Sequence, residues 1–268
     1  MNFGVIGCGK MGSALVGGAM RTGVLTPESV WGYDAVAAAT TEFCRSTRAQ
    51  SATSLQELAD HCDTFLLATK PHQVRDVLQQ LGSALQNKPA LVISVAAGIP
   101  LAVMEECLPP SVRVIRTMPN TPALVGKGAT AYSLGSRALP DDGIAAATLF
   151  SAVGLAISTP ESLMDAVTGL SGSGPAYVFV MIEALADAGV RQGLARTDAI
   201  QLAAQTLLGA ATMVLDTGLH PAALKDMVTS PGGTTIAGIA ALEKCGIRHA
   251  LHEAVAAASH RSKELSSL

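Results

Sequence analysis

A glycine-rich stretch close to the first residue constrains the fold of this chain more than any other feature. Gly7, Gly9 and Gly12 have the spacing G-x-G-x-x-G, directly after an apolar run and at the start of a helical pattern. Glycines in this context let the backbone turn tightly and approach a pyrophosphate, whose charge then meets the helix N-terminus. We therefore predict a dinucleotide site here in preference to a purely structural turn. Its residues are Ile6, Gly7, Cys8, Gly9, Lys10, Met11 and Gly12.

The pattern that follows predicts a doubly wound α/β domain. Short β-branched runs alternate with helical stretches of about a dozen residues, which is typical of a parallel sheet with helices on both faces. We predict strands at 3–6, 30–33, 64–68, 91–95, 112–115, 129–133 and 155–158. Helices are expected at 10–23, 35–46, 74–85, 101–108 and 144–153. Residues 1–160 are thus predicted to form an N-terminal Rossmann domain that binds NAD(P).

The strand signals stop after Pro160, and the remaining pattern is helical. We predict helices at 161–170, 175–191, 196–215, 221–228, 235–244 and 248–265. These helices are apolar on most faces, and a segment of this length cannot bury so many faces alone. Residues 161–268 are therefore predicted to form an all-α C-terminal domain that pairs with the same segment of a second chain.

Composition and charge exclude several classes of partner. The 18 Lys and Arg residues are scattered and the formal net charge is −3, so no nucleic-acid partner is expected. The uncharged stretches 143–160 and 199–215 carry Gly, Ser, Thr, Gln or Pro, and we interpret them as buried soluble segments rather than membrane spans. The five cysteines have no CxxC spacing. They indicate free thiols in a reducing cytoplasm, and no metal site is predicted.

Asp34 follows the second predicted strand and bears on the choice of cofactor. An acidic group at this point usually accepts hydrogen bonds from the ribose hydroxyls of the adenosine half and repels a 2′-phosphate. Asp34 therefore favours NADH over NADPH. The alternative is that Asp34 only caps the next helix.

Three further loops follow predicted strands, and in open α/β sheets the ligand crevice lies at the carboxyl ends of the strands. The residues that we expect to border the cofactor are Ala68, Thr69, Lys70, Pro71, Val95, Ala96 and Ala97. A structural or phosphate-facing charge is a better interpretation of Lys70 than a catalytic acid.

Asn120 lies in a turn fixed by two prolines, where it lines the nicotinamide pocket or belongs to a rigid surface loop.

The glycine frame Gly169, Gly172 and Gly174 resembles that of the β-hydroxyacid dehydrogenases. Val178 and Ile182 stand where that family carries its catalytic Lys and its Asn. An alcohol is not readily oxidised without a group that takes its proton, so alcohol dehydrogenation of that type is disfavoured.

The stretch Ser230-Pro-Gly-Gly-Thr-Thr precedes an apolar helical pattern. Ser before Pro is a helix-start signal, two glycines leave backbone N–H groups accessible, and a helix N-terminus favours an anion. No Lys or Arg lies within the loop, so a small carboxylate fits it better than a phosphate chain. An ordinary capped turn is the alternative.

Together these motifs resemble the pyrroline-5-carboxylate reductases, which catalyse the last step of proline synthesis. The resemblance runs from end to end and is most specific at 171–177 and 224–238. It implies a Rossmann domain for NAD(P)H and a helical domain that interleaves with its partner in a homodimer, often assembled into decamers of five dimers. Many relatives have Ser or Arg near the end of the second strand where this chain has Asp34, which puts the family's common NADPH preference in doubt.

The resemblance also assigns roles in the site. It implies that Ser230, Gly233 and Thr234 hold the carboxylate of 1-pyrroline-5-carboxylate, and that the hydroxyl of Thr235 faces the ring nitrogen as the catalytic contact. The loop is expected to come from the neighbouring subunit. Because a cyclic imine can enter already protonated, hydride transfer needs no side-chain acid, and positioning carries the catalysis. Another imine or ketone reductase and a non-catalytic dinucleotide sensor remain as alternatives.

Overall fold

An eight-stranded sheet organises the first part of the chain in the computed structural model, which describes residues 2–266. The strands are β1 (Phe3–Ile6), β2 (Val30–Tyr33), β3 (Gln50–Ser51), β4 (Thr64–Leu67), β5 (Ala90–Ser94), β6 (Val112–Met118), β7 (Gly128–Leu134) and β8 (Gly154–Ser158). Their order in the sheet is β3-β2-β1-β4-β5-β6-β7-β8. The helices packed with them are α1 (Lys10–Arg21), α2 (Ala37–Thr47), α3 (Leu55–His61), α4 (Val74–Leu85), α5 (Leu101–Glu106), α6 (Pro140–Ser151) and α7 (Met164–Val167).

Both faces of the central strands are buried, which explains why these strands are apolar throughout. One core joins Phe65 of β4 to α3, α4 and α5, and the other joins Val5 of β1 to α1, α2 and α6. Strands buried on both faces are continuous hydrophobic runs rather than alternating ones. The predicted Rossmann architecture is confirmed.

The prediction of a parallel sheet is wrong at one pair of strands. β7 runs antiparallel to β6, whereas every other pair of neighbouring strands in the described residues is parallel. Only residues 119–127 connect β6 to β7, with a short turn of 3-10 helix at Thr121–Val125. A parallel connection needs a crossover of a dozen or more residues, so this link can only return antiparallel.

The described chain divides into two compact units, which are 2–173 with 257–266, and Gly174–Ala256. This division lies beyond the boundary at residue 160 that the sequence predicts. Residues just after 160 bond to the sheet unit: Glu161 accepts hydrogen bonds from the backbone N–H of Leu101 at 2.6 Å and from Arg116 at 3.0 Å. Ser262 in the last helix likewise donates to Asp165 at 2.6 Å. Both segments are helical in pattern yet pack with the sheet.

The second unit consists of helices joined by loops, with no strand among its described residues. Its helices are α8 (Gly174–Arg191), α9 (Arg196–Thr217), α10 (Pro221–Met227), α11 (Thr234–Lys244) and the first part of α12 (Ile247–Ser266). Its own core is small: Ala186, Ala199 and Ala203 are buried, with Ile182 and Val190 against them. Many large apolar side chains remain exposed, as the composition predicts for a unit that pairs with another copy.

One described helix, α9, is long and apolar enough to cross a membrane, judged by length and composition alone. Only 11% of its most apolar window is buried. The expectation that 199–215 is buried is therefore wrong for the single chain, because α9 buries only Ala199 and Ala203. Its remaining apolar side chains have to be covered by something other than this chain.

Candidate active site

The glycine loop between β1 and α1 lies where the strand order of the sheet reverses. β1 has β2 on one side and β4 on the other, and all three strands end at the same edge. In open α/β sheets this reversal opens a crevice in which ligands bind. The backbone N–H of Gly7 donates to the carbonyl of Tyr33, and that of Ala68 donates to the carbonyl of Ile6, so the three loops meet there.

The three glycines of the loop have three different functions. Gly7 has φ +99°, and a Cβ on it would lie 2.7 Å from the backbone of Ala68. A Cβ on Gly12 would lie 2.5 Å from the carbonyl oxygen of Gly7, so this glycine lets the helix approach the strand. A Cβ on Gly9 would meet nothing within 4 Å in the part of the chain that the structure describes. Gly9 is the N-cap of α1 and no side chain caps the helix there, which leaves open space in front of its N-terminus.

Asp34 lies beside this loop and holds it. Its Oδ2 accepts a hydrogen bond from the backbone N–H of Cys8 at 2.9 Å, and its Oδ1 accepts one from Val36 at 2.9 Å. Val36 is itself the N-cap of α2, and no side chain caps that helix. The alternative that Asp34 only caps the next helix is therefore not what the structure shows. The carboxylate is half-buried at the end of β2, next to the glycine loop.

Cys8 in the glycine loop is a buried structural thiol. Burial raises its pKa to about 12, and the neighbouring charge of Asp34 acts in the same direction. Only a thiolate is a strong nucleophile, so this thiol is inert at neutral pH.

The loops after β4 and β5 also end at this edge. The Oγ1 of Thr69 is buried and has no hydrogen-bond partner among residues 2–266, and buried polar atoms in this condition often await a ligand or water. The hydroxyl of Thr117 donates to the carbonyl of Ser94 at 2.8 Å, and the Ser94 hydroxyl accepts from the N–H of Ala96 at 3.3 Å. These bonds hold the backbone of Val95 to Ala97. Lys70 is exposed.

Asn120 links two turns of the sheet unit. Its Nδ2 donates to the carbonyl of Ser171 at 2.9 Å, and its Oδ1 accepts from the N–H of Ala129 at 2.8 Å. The residue is only 8% exposed. These contacts give Asn120 a bracing function, and its predicted contact with the cofactor stays a prediction.

In the helical unit, the loop at 230–233 ends where α11 begins. Gly232 has φ +66°, a conformation that favours glycine, and a Cβ on Gly233 would collide with the hydroxyl of Ser230. Gly233 is the N-cap of α11, and no side chain caps the helix. Among residues 2–266, no side-chain acceptor is bonded to the first N–H groups of α11, as at an anion-binding helix N-terminus. Thr234 is exposed and Thr235 is half-buried.

Comparison with known proteins decides the family. Residues 161–265 match the model for pyrroline-5-carboxylate reductase dimerisation, and residues 2–98 match that for NADP oxidoreductase, coenzyme F420-dependent. The pyrroline-5-carboxylate reductase of Methanosarcina acetivorans is 49% identical over 98% of this chain and 97% of its own length. The structure of the reductase from Coxiella burnetii has a TM-score of 0.93 at 35% identity, covering 98% of both chains. That of Plasmodium falciparum pyrroline carboxylate reductase, with NADP bound, has a TM-score of 0.87 at 33% identity, covering 99% of this chain and 98% of its own.

The chain belongs to the pyrroline-5-carboxylate reductase family. Its reaction is the reduction of 1-pyrroline-5-carboxylate to proline. The predicted division into a Rossmann-like NAD(P)H-binding domain and a helical dimerisation domain is confirmed. A dimerisation domain implies a homo-oligomer, which accounts for the apolar helix faces that the single chain leaves exposed.

In this reductase the structure brings together the predicted cofactor residues at the ends of β1, β2, β4 and β5. The Ser230–Thr235 loop belongs to the other compact unit. Sequence reasoning missed the pair Ser94 and Thr117, although both lie in motifs that it singled out. Only the register of β5 against β6, in which Ser94 pairs with Arg116, shows that the hydroxyl of Thr117 can reach the backbone carbonyl of Ser94.

Proposed function

We propose that the catalytic site of this reductase combines the cofactor loops of one subunit with the loop at 230–235 of its neighbour. The observation that carries the proposal is the N-terminus of α11, which is uncapped by any side chain and is preceded by a left-handed Gly232. Such a terminus suits a carboxylate, and the substrate of this family carries one.

The proposed roles follow from what each group can donate. Ser230, Gly233 and Thr234 bind the substrate carboxylate through hydroxyl and backbone N–H groups. The hydroxyl of Thr235 accepts a hydrogen bond from the N–H of the protonated ring nitrogen and orients the ring. A bound reduced nicotinamide supplies the hydride. No side chain has to transfer a proton when the imine enters protonated, so Thr235 acts by positioning and electrostatics.

The cofactor fits the sheet unit at three points. The open space at Gly9 leaves room for a pyrophosphate against the N-terminus of α1, and the buried hydroxyl of Thr69 lacks a partner within the described chain. The loop after β2 offers Asp34 and no cation. We therefore propose that NADH is preferred, in contrast to the Plasmodium falciparum relative, whose structure holds NADP.

The proposal extends to assembly and location. The homo-oligomer is a dimer built by the helical units, and such dimers can assemble further into a decamer of five. The reductase works in the cytoplasm without a metal ion, a membrane or a nucleic-acid partner.

The direct test is an assay with 1-pyrroline-5-carboxylate and either NADH or NADPH. Oxidation of the nicotinamide is followed by absorbance, and proline is identified by chromatography. We expect equal amounts of proline and oxidised cofactor, with a higher kcat/KM for NADH. Oxidation without proline would indicate another imine or ketone as substrate. Binding of either cofactor without oxidation would indicate a dinucleotide sensor.

A further inference from the structure

One side of the sheet is uncovered at its last strand. In the register of β7 and β8, Ala129 pairs with Leu155 and Ala131 with Ile157. Paired residues point to the same side of a sheet, and successive residues point to opposite sides. Ala156 packs into the core that contains α6. Leu155 and Ile157 therefore face away from α6, and they are 50% and 52% exposed.

The chain covers this side of the sheet at β7 but not at β8. Ala131 of β7 is 7% exposed, although its partner Ile157 is half exposed. The turn Glu161–Leu163 contacts β7, and Met164, which follows it, is buried. The segment after β8 thus folds back over β7 and leaves β8 bare.

The same segment carries two more exposed apolar side chains. Leu163 and Leu170 are 51% and 66% exposed. Leu163 ends the turn of 3-10 helix after β8, and Leu170 lies in the π-helical turn Thr168–Gly172. Leu155, Ile157, Leu163 and Leu170 together are called the β8 patch here. All four belong to the sheet unit.

The position and charge of the β8 patch indicate what covers it. Leu163 and Leu170 lie inside residues 161–265, which match the dimerisation model, yet they pack with the sheet unit. The match to the dimerisation model therefore begins within the sheet unit, directly after β8 in the chain. Glu161 is the one charged residue between 154 and 164, and Arg116 and the N–H of Leu101 already occupy its carboxylate. The surface suits an apolar partner.

We propose that the β8 patch is part of the subunit interface and is covered by the helical unit of a second copy of this chain. That unit exposes apolar side chains of the required kind, including Phe179, Val180 and Leu202. Burying such side chains on both copies removes apolar surface from water, which drives association. The inference rests on the homo-oligomer and not on the shared catalytic loop proposed above.

The first test compares two lysine substitutions by mass and by dissociation on dilution. Ile157→Lys puts a charge into the patch. Ile144→Lys is the matched control, because Ile144 is 64% exposed on α6, which packs on the other side of β8. We expect Ile157→Lys to weaken association at least about tenfold relative to Ile144→Lys. Equal dissociation of the two variants would overturn the proposal.

A second test introduces no charged side chain, and its result does not depend on folding defects. Ile157→Cys and Ile144→Cys are alkylated in the native oligomer, and labelling at each position is measured by peptide mass spectrometry. In the oligomer, we expect the rate of labelling at position 157 to be at least about tenfold lower than at position 144. After dilution to the monomer, the rate at position 157 should rise to that at position 144. Equal rates in the oligomer would show that the patch is open to solvent. Neither test measures enzymatic activity. If the proposal that the catalytic loop is shared between subunits is wrong, the results of both tests are unaffected.

Discussion

At the residue scale, Gly9 separates the binding function of the glycine loop from its structural function. A Cβ at this position meets nothing within 4 Å, and the backbone has φ −78°, which alanine adopts freely. We predict that Gly9→Ala folds normally but raises KM for the cofactor about tenfold, since the methyl group occupies the space of the pyrophosphate. Gly17→Ala, within α1, is the control. It should stabilise the fold by about 0.5–1 kcal/mol and leave KM unchanged. A KM unaffected by Gly9→Ala would contradict the placement of the cofactor.

Asp34 is the residue that sets the proposed cofactor preference. We predict that Asp34→Asn raises the ratio of kcat/KM for NADPH to that for NADH about tenfold, because the charge that repels a 2′-phosphate is removed. Asp63→Asn makes the same change at the start of β4, at the opposite edge of the sheet, and should leave the ratio unaltered. An unchanged ratio in Asp34→Asn would leave Asp34 only its observed function of holding the N–H groups of Cys8 and Val36.

The Cys62 thiol makes the free energy of unfolding depend on pH under alkaline conditions. Burial raises its pKa from 9.0 to about 12, and the charge of Asp63 adds to the shift. A pKa raised in the folded state gives stability that is complete below the unfolded pKa and is lost as pH rises from 9.0 towards about 12. We predict that urea unfolding at pH 8 and pH 10 shows a loss of about 1 kcal/mol due to this thiol. Between the two pH values Cys62→Ala should lose about 1 kcal/mol less than the wild type, which still has the similarly shifted Cys8 thiol. Cys245→Ala alters an exposed thiol and should lose as much as the wild type. The same pH dependence in the wild type and in both variants would show that Cys62 does not contribute to it.

At the element scale, Asn120 joins the turn after β6 to the helical turn at Thr168–Gly172. Asn120→Ala leaves the N–H of Ala129 and the carbonyl of Ser171 without their partner. We predict a loss of about 1–3 kcal/mol in the free energy of unfolding, measured in urea. Asn2→Ala removes an exposed side-chain bond to His61 and should cost less than about 0.5 kcal/mol. Equal losses would show that Asn120 does not brace the two turns.

The elements that the sequence predicts best are those with a strong local signal. The bounds of β1, β2 and α4 agree with the predictions, because β-branched runs and an amphipathic period are local properties. The two residues of β3 and the short α3 were missed, since neither is long enough for a clear period. α6 begins at Pro140, earlier than predicted, because Pro at the first helical position is itself a start signal.

The direction of β7 and the limits of the two units depend on contacts far apart in sequence. Strand propensity does not encode direction, and only the short link between β6 and β7 does. Glu161 follows the last strand and begins a helical pattern, yet its bond to Arg116 ties it to the sheet. For the site, the glycine loop was predictable from its motif. The bond between Thr117 and Ser94 was not, because it requires the register of the sheet.

At the scale of the whole molecule, the helical unit is incomplete as a single chain. It buries three alanines in its own core and exposes Phe179, Val180 and Leu202. In a dimer that forms through the dimerisation domain, a second copy of the chain covers these exposed side chains. In the proposed site, backbone N–H groups at the N-termini of α1 and α11 take the place of charged side chains.

The central claim, a site shared between subunits, is tested most directly by complementation between two inactive variants. Gly9→Asp blocks the cofactor loop, and Thr235→Val removes the hydroxyl, which should lower turnover about a hundredfold without changing cofactor affinity. In a mixed dimer, one of the two sites combines the intact cofactor loop with the intact Thr235. We therefore predict that co-expressed variants recover about a quarter of wild-type activity in a random mixture. If each chain instead builds its own complete site, the mixture will be as inactive as the two variants alone, and the claim is wrong.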